Sequence, residues 1–365
     1  MAKGPAPKAR PATAGLILVC TLAFVVVYVL SILRADGRAW AAVEALWMLG
    51  DVELLERAGG LVGARVWLDA QWWRTLSAAL LHGSWLHLVL NCWGLWVVGA
   101  WTERVWGPWR QLALCAWASL GGALASLAWA EAPLVVGASG GIFGLAGALV
   151  VVRRFGSSAQ QKQVEPVSAK VLSFWLIFWL VVGGLLPVLG VEVLAQAGHM
   201  GGLAFGCLLG GLWSLDPGRR GARWAMRLGA VAAVTALSVA AWRPSWRANY
   251  HLFVGIDHFT RGDYEAGLPE LDVALADAPE NASLHNYVAY TLAEEGLELE
   301  RAQGLVEVAL ESEPDNADYL DTLGWILCKR GDVEGGMEVL RAAEAAATRE
   351  IPEIGEHLEG CAEAG

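Results

Sequence analysis

Long apolar runs fill the first two-thirds of the chain and restrict what it can fold into. A helix needs about 20 mostly apolar residues to cross a bilayer. Backbone inside lipid must satisfy its own hydrogen bonds, so such runs form helices. We place spans near residues 15–33, 80–100, 110–130, 137–153, 170–190, 196–214 and 224–242. The sequence therefore predicts an all-α fold with a polytopic membrane bundle of six core helices and a seventh.

The last third of the chain has the composition of a water-soluble domain. From Ser245 onward there are 26 acidic and 7 basic side chains, whereas residues 1–244 hold 11 acidic and 19 basic ones. Of the 20 tryptophans, 19 precede residue 247, as expected if they anchor a membrane domain at the interface. We predict four segments: a basic tail at 1–14, a membrane domain at 15–215, a seventh helix with linker at 216–249, and a helical repeat domain at 250–365.

Basic residues predict the orientation of the bundle, because lysine and arginine concentrate in cytoplasmic loops. With the N-terminus inside, four basic groups fall on the cytoplasmic side. The first run lacks a small-residue cleavage site, so we expect an uncleaved span. We expect a multi-pass protein of a bacterial cytoplasmic membrane, with its C-terminal domain external. The four groups are Lys3, Lys8 and Arg10; Arg104 and Arg110; Arg153, Arg154, Lys162 and Lys170; and Arg219, Arg220, Arg223 and Arg227.

A serine and a histidine lie inside the predicted spans, Ser139 in GASGGIFG and His199 in GHMGGLAFG. Polar groups at membrane depth mark functional sites. Both residues are near the outer end of their spans and so at similar depth. A neutral imidazole takes the proton from a serine hydroxyl that attacks a carbonyl, so the pair predicts a hydrolytic dyad. We find no nearby acidic residue to orient His199. Phe143, one turn along the helix from Ser139, is a candidate to stack on its ring, and a lipid-facing or core position is the alternative.

The second span begins with HGSWLHLVLN, which places further donors at membrane depth. His87 and Asn91 are four residues apart and share a helix face. With the backbone N–H of Ser139, they are candidate donors to an oxyanion. A zinc site at His82 and His87, or hydrogen bonding between helices alone, are the alternatives. The HExxH pattern and a carboxylate ligand are missing, so we predict no metal. We also predict no cofactor and no nucleic-acid partner.

Small residues recur every four positions on the two helices that carry Ser139 and His199. Such stripes let two helices approach closely. Glycine-mediated packing with an incidental serine is the alternative interpretation of this pattern. The stripes are Gly140, Gly144 and Ala148 on one helix, and Gly202 and Gly206 on the other.

Together these motifs resemble the rhomboid intramembrane serine proteases, over roughly residues 10–215. Gly198 and Phe143 replace the alanine and tyrosine that are common in the family. The motifs are Trp73-Arg74, His87-x-x-x-Asn91, Glu103-Arg104 with Gly107, Gly137-x-Ser139-Gly140, and His199-x-x-Gly202-x-x-x-Gly206.

The resemblance implies roles for these residues. Ser139 would be the nucleophile and His199 the general base, with His87 and Asn91 as oxyanion contacts. Trp73 and Arg74 would shape an external, partly submerged segment at residues 34–79. The loop at 186–196 would cap the site, and the fifth span would form one side of a lateral gate.

The resemblance also implies a substrate, the transmembrane helix of another protein within the lipid bilayer, unwound at small or helix-breaking residues. Two other functions remain open from the sequence. One is a catalytically silent relative that binds membrane helices. The other is a membrane-anchored adaptor whose repeat domain carries the function.

Residues 250–345 repeat at about 34 to 35 residues. Pro279 and Pro314 lie in similar contexts, APEN and EPDN, and Gly262-Asp263 corresponds to Gly331-Asp332. The pattern resembles tetratricopeptide repeats, which implies a soluble α-solenoid of helix pairs. Such a domain would bind a peptide or protein partner. The alternative is a domain that only caps and solubilises the chain.

The six cysteines show no framework spacing and no CxxC motif. Four lie in apolar segments, and Cys328 and Cys361 lie in the acidic tail. We therefore expect neither a disulfide framework nor a cysteine metal site.

Overall fold

The computed structural model describes residues 10–34, 51–130, 132–185, 196–214, 220–347 and 351–364. The chain divides into two compact units, Met1–Pro244 and Ser245–Gly365. Both units are helical, which confirms the all-α prediction; one two-residue strand pairing occurs in the described part. The cap predicted for the loop at 186–196 falls almost wholly outside the described residues, as do residues 35–50 of the external segment.

The membrane unit contains twelve described α-helices and two short strands. A 3₁₀ turn follows α4, and a π-helical turn at Leu95–Gly99 joins α5 to α6. The elements are α1 Pro11–Arg34, α2 Val52–Arg57, β1 Leu61–Val62, α3 Gly63–Trp67, α4 Arg74–Ser77, α5 Trp85–Gly94, α6 Ala100–Trp106, α7 Pro108–Trp129, β2 Leu134–Val135, α8 Ser139–Phe155, α9 Ser158–Gln163, α10 Ala169–Leu185, α11 Gln196–Ser214 and α12 Arg220–Trp242.

By length and hydropathy alone, three helices in the described part of the chain are long and apolar enough to cross a membrane. They are α1, α7 and α12, and they coincide with the first, third and seventh predicted spans. The second predicted span is broken into α5, the π-helical turn and α6. The fourth, fifth and sixth predicted spans correspond to α8, α10 and α11.

The first helix begins where a buried carboxylate accepts its free backbone donors. Glu103 accepts hydrogen bonds from the N–H groups of Ala12 and Thr13 at 3.1 and 2.9 Å, and from the Thr13 hydroxyl at 2.7 Å. An anionic group at a helix N-terminus satisfies these donors and complements the helix dipole. This contact ties α1 to α6 and gives the motif residue Glu103 a structural position. Its neighbour Arg104 lies over the Trp101 ring at 5.5 Å.

Helix α8 forms the centre of the unit and packs against α7 and α11. Its contact with α11 is made by glycines. A Cβ on Gly202 would overlap the carbonyl oxygen of Gly140, and a Cβ on Gly206 would overlap that of Gly144. The two backbones are therefore close enough that no other residue fits at these positions. This close approach also brings the first turn of α8 near the first turn of α11.

The described part of the external segment, residues 51–80, is made of short helices tied together by Arg74. Its guanidinium donates to the carbonyl oxygens of Glu56 and Gly60 at 2.5 and 2.8 Å, and to the Gln71 side chain at 2.7 Å. Arg74 also lies over the Trp73 ring, 4.9 Å from its centroid. These contacts hold β1 in place.

The C-terminal unit consists of seven described helices. Four of them begin 34 or 35 residues apart, and each of the first three packs against the helix that follows it. Asn281 and Asn316 cap the second and third of the four. The helices are α13 Ala248–Thr260, α14 Tyr264–Asp277, α15 Ala282–Glu294, α16 Leu299–Ser312, α17 Ala317–Lys329, α18 Val333–Ala346 and α19 Pro352–Ala364.

A disulfide joins Cys328 on α17 to Cys361 on α19, a single bond that the cysteine spacing did not predict. The two residues are 33 positions apart, and only the fold brings them together. Beside the disulfide, His357 contacts the Asp321 carboxylate at 2.9 Å and stacks on Trp325. These buried contacts attach the last helix to the unit.

Candidate active site

Ser139 and His199 meet at the first turns of two helices of the bundle. Ser139 is the first residue of α8, and His199 lies in the first turn of α11. Their side chains are joined by a hydrogen bond of 2.9 Å between Ser139 Oγ and His199 Nε2. His199 is buried. The glycine contacts between α8 and α11 make this geometry possible, because they bring two distant stretches of sequence within side-chain reach.

Phe143 and Gln196 contact the His199 ring from two directions. The Phe143 ring is parallel to the imidazole, with 4.4 Å between centroids and 8° between planes. Gln196 Oε1 lies 3.1 Å from His199 Nδ1. If Nδ1 carries the proton and donates it to Gln196, Nε2 is left as an acceptor for the Ser139 hydroxyl. This is the tautomer that a general base requires.

Gln196 was not predicted from the sequence. No acidic partner of His199 is present nearby among the described residues, and Phe143 was the candidate orienting residue. The available signal was the spacing of three residues along α11, since residues three apart share a helix face. A neutral amide oxygen serves as an acceptor without the cost of burying a charge.

The loop before Ser139 is held from two sides. Its strand β2 pairs antiparallel with β1, with Leu61 opposite Val135. Gly137 donates its N–H to the Ala78 carbonyl at 2.9 Å and has a φ of +121°, a conformation that favours glycine. A Cβ on Gly137 would lie 2.6 Å from His87 Nε2. The His87 ring therefore lies directly against the loop that carries the nucleophile.

Asn91 and His82 lie near His87. The Asn91 side-chain amide donates to the His87 carbonyl at 2.9 Å, and its Oδ1 is buried with no hydrogen-bond partner in the described structure. The His82 ring packs edge-on against that of His87 at 5.1 Å. One N–H of the Asn91 amide is used by this backbone contact, which leaves the second for another acceptor.

The start of α8 adds backbone donors beside Ser139. The first helical hydrogen bond runs from Ile142 N to Ala138 O at 3.0 Å. The N–H groups of Ser139, Gly140 and Gly141 therefore have no acceptor within the helix. Together with the helix dipole, they favour negative charge next to the Ser139 hydroxyl.

Metal ligation is not indicated at this site. Within the described ranges, no group of three or more histidine, cysteine, aspartate or glutamate side chains could hold a metal ion. His82 and His87 are the two imidazoles in contact, and no carboxylate joins them in the residues described.

Comparison with known proteins supports a rhomboid family domain. Residues 69–215 match the family model described as the rhomboid domain. Over 256 residues, 69% of this chain, it is 29% identical to the rhomboid protease GluP of Bacillus subtilis (strain 168), and the match covers 48% of that protein. It is 28% identical over 211 residues, 53% of this chain, to the rhomboid protease AarA of Providencia stuartii, of which 74% is covered.

A plant relative also matches. The chain is 33% identical over 171 residues, 47% of its length, to RHOMBOID-like protein 4 of Arabidopsis thaliana, of which 41% is covered. The chain thus spans about half or less of the length of the Bacillus and Arabidopsis relatives. The family model matches part of the membrane unit, and rhomboid family members are multi-pass integral membrane proteins.

Proposed function

We propose that this chain, whose residues 69–215 match the rhomboid domain, is an intramembrane serine endopeptidase. The observation that carries the proposal is the 2.9 Å hydrogen bond between Ser139 Oγ and His199 Nε2. The two residues lie at the first turns of adjacent helices, and the imidazole contacts the hydroxyl on one side and Gln196 on the other. This arrangement meets the geometric requirement for an activated serine nucleophile.

The chemistry follows from the positions of the atoms. His199 Nε2 accepts the Ser139 hydroxyl proton while Oγ attacks the carbonyl carbon of a peptide bond. The proton passes to the leaving amide nitrogen as the peptide bond breaks, which leaves an ester on Ser139. A water molecule, deprotonated by the same imidazole, hydrolyses the ester.

Stabilisation of the intermediate falls to donors around Ser139. The proposed donors to the oxyanion are the free N–H groups of the first turn of α8, the remaining N–H of Asn91 and the His87 ring. Donors fixed before the reaction act strongly in a water-poor site.

The substrate we propose is the transmembrane helix of another protein. A peptide bond in a regular helix has its carbonyl oxygen engaged in the helix and is poorly exposed to a nucleophile. A segment rich in small or helix-breaking residues unwinds more readily and presents its carbonyl to Ser139. The test is cleavage of a single-pass substrate in liposomes by the purified chain, compared with cleavage by Ser139→Ala and His199→Ala.

For the C-terminal unit we propose a tetratricopeptide-like solenoid that recruits a peptide or protein partner. Its helix starts recur at 34 or 35 residues. Gly267 packs against Phe259, and Gly336 packs against Cys328, at corresponding places in the first and third helix pairs. Small residues at these crossings let the helices of a pair pack closely, as stacked helical repeats require.

We also propose that the C-terminal unit lies outside the cytoplasm of a bacterial cell. The end of α12 contacts the external segment: the Trp67 indole donates to the Ala241 carbonyl at 2.9 Å, and Trp72 stacks on Trp242 at 5.5 Å. The chain therefore leaves the bundle on the side of that segment. The Cys328–Cys361 disulfide agrees, since disulfides persist in oxidising compartments.

New surface thiols test this orientation, because Cys361 is itself buried in the disulfide. We expect a membrane-impermeant maleimide to label Ser312→Cys in intact cells. Its matched control, Ser158→Cys in the predicted cytoplasmic helix α9, should react only after permeabilisation. Both serines are exposed. The reverse pattern of labelling would contradict the proposed orientation.

Replacement of Gln196 tests its role as a positioning residue for His199. Gln196→Leu removes the oxygen that accepts from Nδ1 and nearly preserves size, so we expect kcat to fall about 10- to 100-fold with KM nearly unchanged. Gln196→Glu keeps an oxygen acceptor and should retain most of the activity. Equal losses in both variants, or a loss confined to KM, would contradict the positioning role.

A further inference from the structure

A cavity of about 430 Å³ lies between the C-terminal end of α8 and the N-terminal end of α10. It is separate from the active site, because α8 extends roughly 24 Å from Ser139 to its last turn. Arg153, Arg154 and Lys170 form its basic side. Val150, Val151 and Phe155 form its apolar side. The cavity thus combines concentrated positive charge with an apolar wall.

Among the described residues, no carboxylate compensates the positive charge in this cavity. None of Arg153, Arg154 and Lys170 forms an ion pair with an acidic residue that the structure describes. The side chains that line the cavity include no carboxylate. Arg154 lies over the Phe155 ring, 5.8 Å from its centroid, but no described carboxylate pairs with any of the three cations. Such a group of cations fits an anionic ligand, and a phosphate accepts hydrogen bonds from arginine and lysine together.

Apolar side chains continue from the cavity along α10. Phe174, Ile177, Phe178 and Val181 are exposed, and their spacing places them on the face that also carries Lys170. This face extends from the basic cavity toward the middle of the helix. A ligand with an anionic head and a long apolar tail would occupy the basic cavity and cover the apolar face of α10. A free phosphate would occupy only the basic cavity.

We propose that this cavity is a binding site for an anionic glycerophospholipid. The headgroup phosphate lies among Arg153, Arg154 and Lys170, and an acyl chain follows the exposed face of α10. Basic pockets between membrane helices on the cytoplasmic side are suited to acidic lipid headgroups, and the positive-inside pattern places these residues there. Lipid binding itself does not depend on the proposed protease activity.

The position of the site links it to the catalytic centre through α10. Trp175 on α10 contacts the Phe143 ring at 5.5 Å, and Phe143 stacks on His199. A lipid that holds the start of α10 against α8 would stabilise this contact. If the proposed function is right, bound lipid increases the cleavage rate.

Lipid retention by the purified full chain tests the site without reference to activity. In native mass spectrometry from mixed micelles, we expect the wild type to retain phosphatidylglycerol but not phosphatidylcholine. The triple variant Arg153→Gln/Arg154→Gln/Lys170→Gln should retain about tenfold less phosphatidylglycerol. The charge-preserving variant Arg153→Lys/Arg154→Lys should retain it nearly as well as the wild type.

A matched control removes three cations elsewhere on the same predicted face, Arg104→Gln/Arg110→Gln/Arg223→Gln. None of these residues lines the cavity, so retention should stay at the wild-type level. Three results would overturn the proposal: unchanged retention in the first triple variant, an equal loss in the control, or displacement of the lipid by equimolar inorganic phosphate. Lipid retention without cleavage by any variant would count against the protease function alone.

Discussion

Ser139→Ala is expected to reduce cleavage of a transmembrane substrate by at least about 10⁴-fold. In the proposed mechanism Ser139 Oγ forms the covalent bond, and no other hydroxyl is described in contact with the His199 ring. His199→Ala should cause a similar loss, because serine without a base is a poor nucleophile. The measurement is the initial rate of product formation in liposomes that contain a single-pass substrate.

The double variant and a matched serine control make this result specific. Since a nucleophile and its base act as a unit, Ser139→Ala/His199→Ala should be little worse than either single variant. Ser126→Ala removes a buried hydroxyl that has no partner in the described structure, and should leave the rate near that of wild type. Wild-type rates for Ser139→Ala would exclude the proposed mechanism.

The contact between Ser139 and His199 was predictable because both are polar residues in apolar, glycine-rich segments. Their similar depth followed from the basic loops, and the glycine stripes indicated that two helices approach. The contact itself depends on the backbone crossing of α8 and α11, which the sequence indicates only through Gly202 and Gly206. The stacking of Phe143 on His199 came from the family resemblance.

Other parts of the site and fold were beyond the sequence analysis for physical reasons. Gln196 was missed because a neutral amide beside a histidine looks like an ordinary helix residue. The disulfide was missed because Cys328 and Cys361 meet only when α19 docks on α17. The break in the second predicted span also left no signal, since the π-helical turn at Leu95–Gly99 is as apolar as its neighbours.

Gly206→Val is expected to disrupt both the bundle and the active site. A Cβ on Gly206 would overlap the Gly144 carbonyl oxygen, and backbone on the opposite helix cannot rotate away as a side chain would. Overpacking of this kind costs about 3 kcal/mol or more when the neighbour is rigid. We expect a lower unfolding temperature in detergent and loss of most cleavage activity, because α8 and α11 must separate.

The matched control is Gly229→Ala, on α12, where a Cβ meets nothing within 4 Å. Alanine in an open helix position removes the entropic cost of glycine, so the unfolding temperature should stay the same or rise slightly.

A smaller change, Gly206→Ala, separates stability from site geometry. If it folds but α11 is displaced, cleavage should fall more than the unfolding temperature implies, since His199 then lies too far from Ser139 for proton transfer. Wild-type stability and activity in Gly206→Val would show that the close crossing of α8 and α11 is not what brings the dyad together.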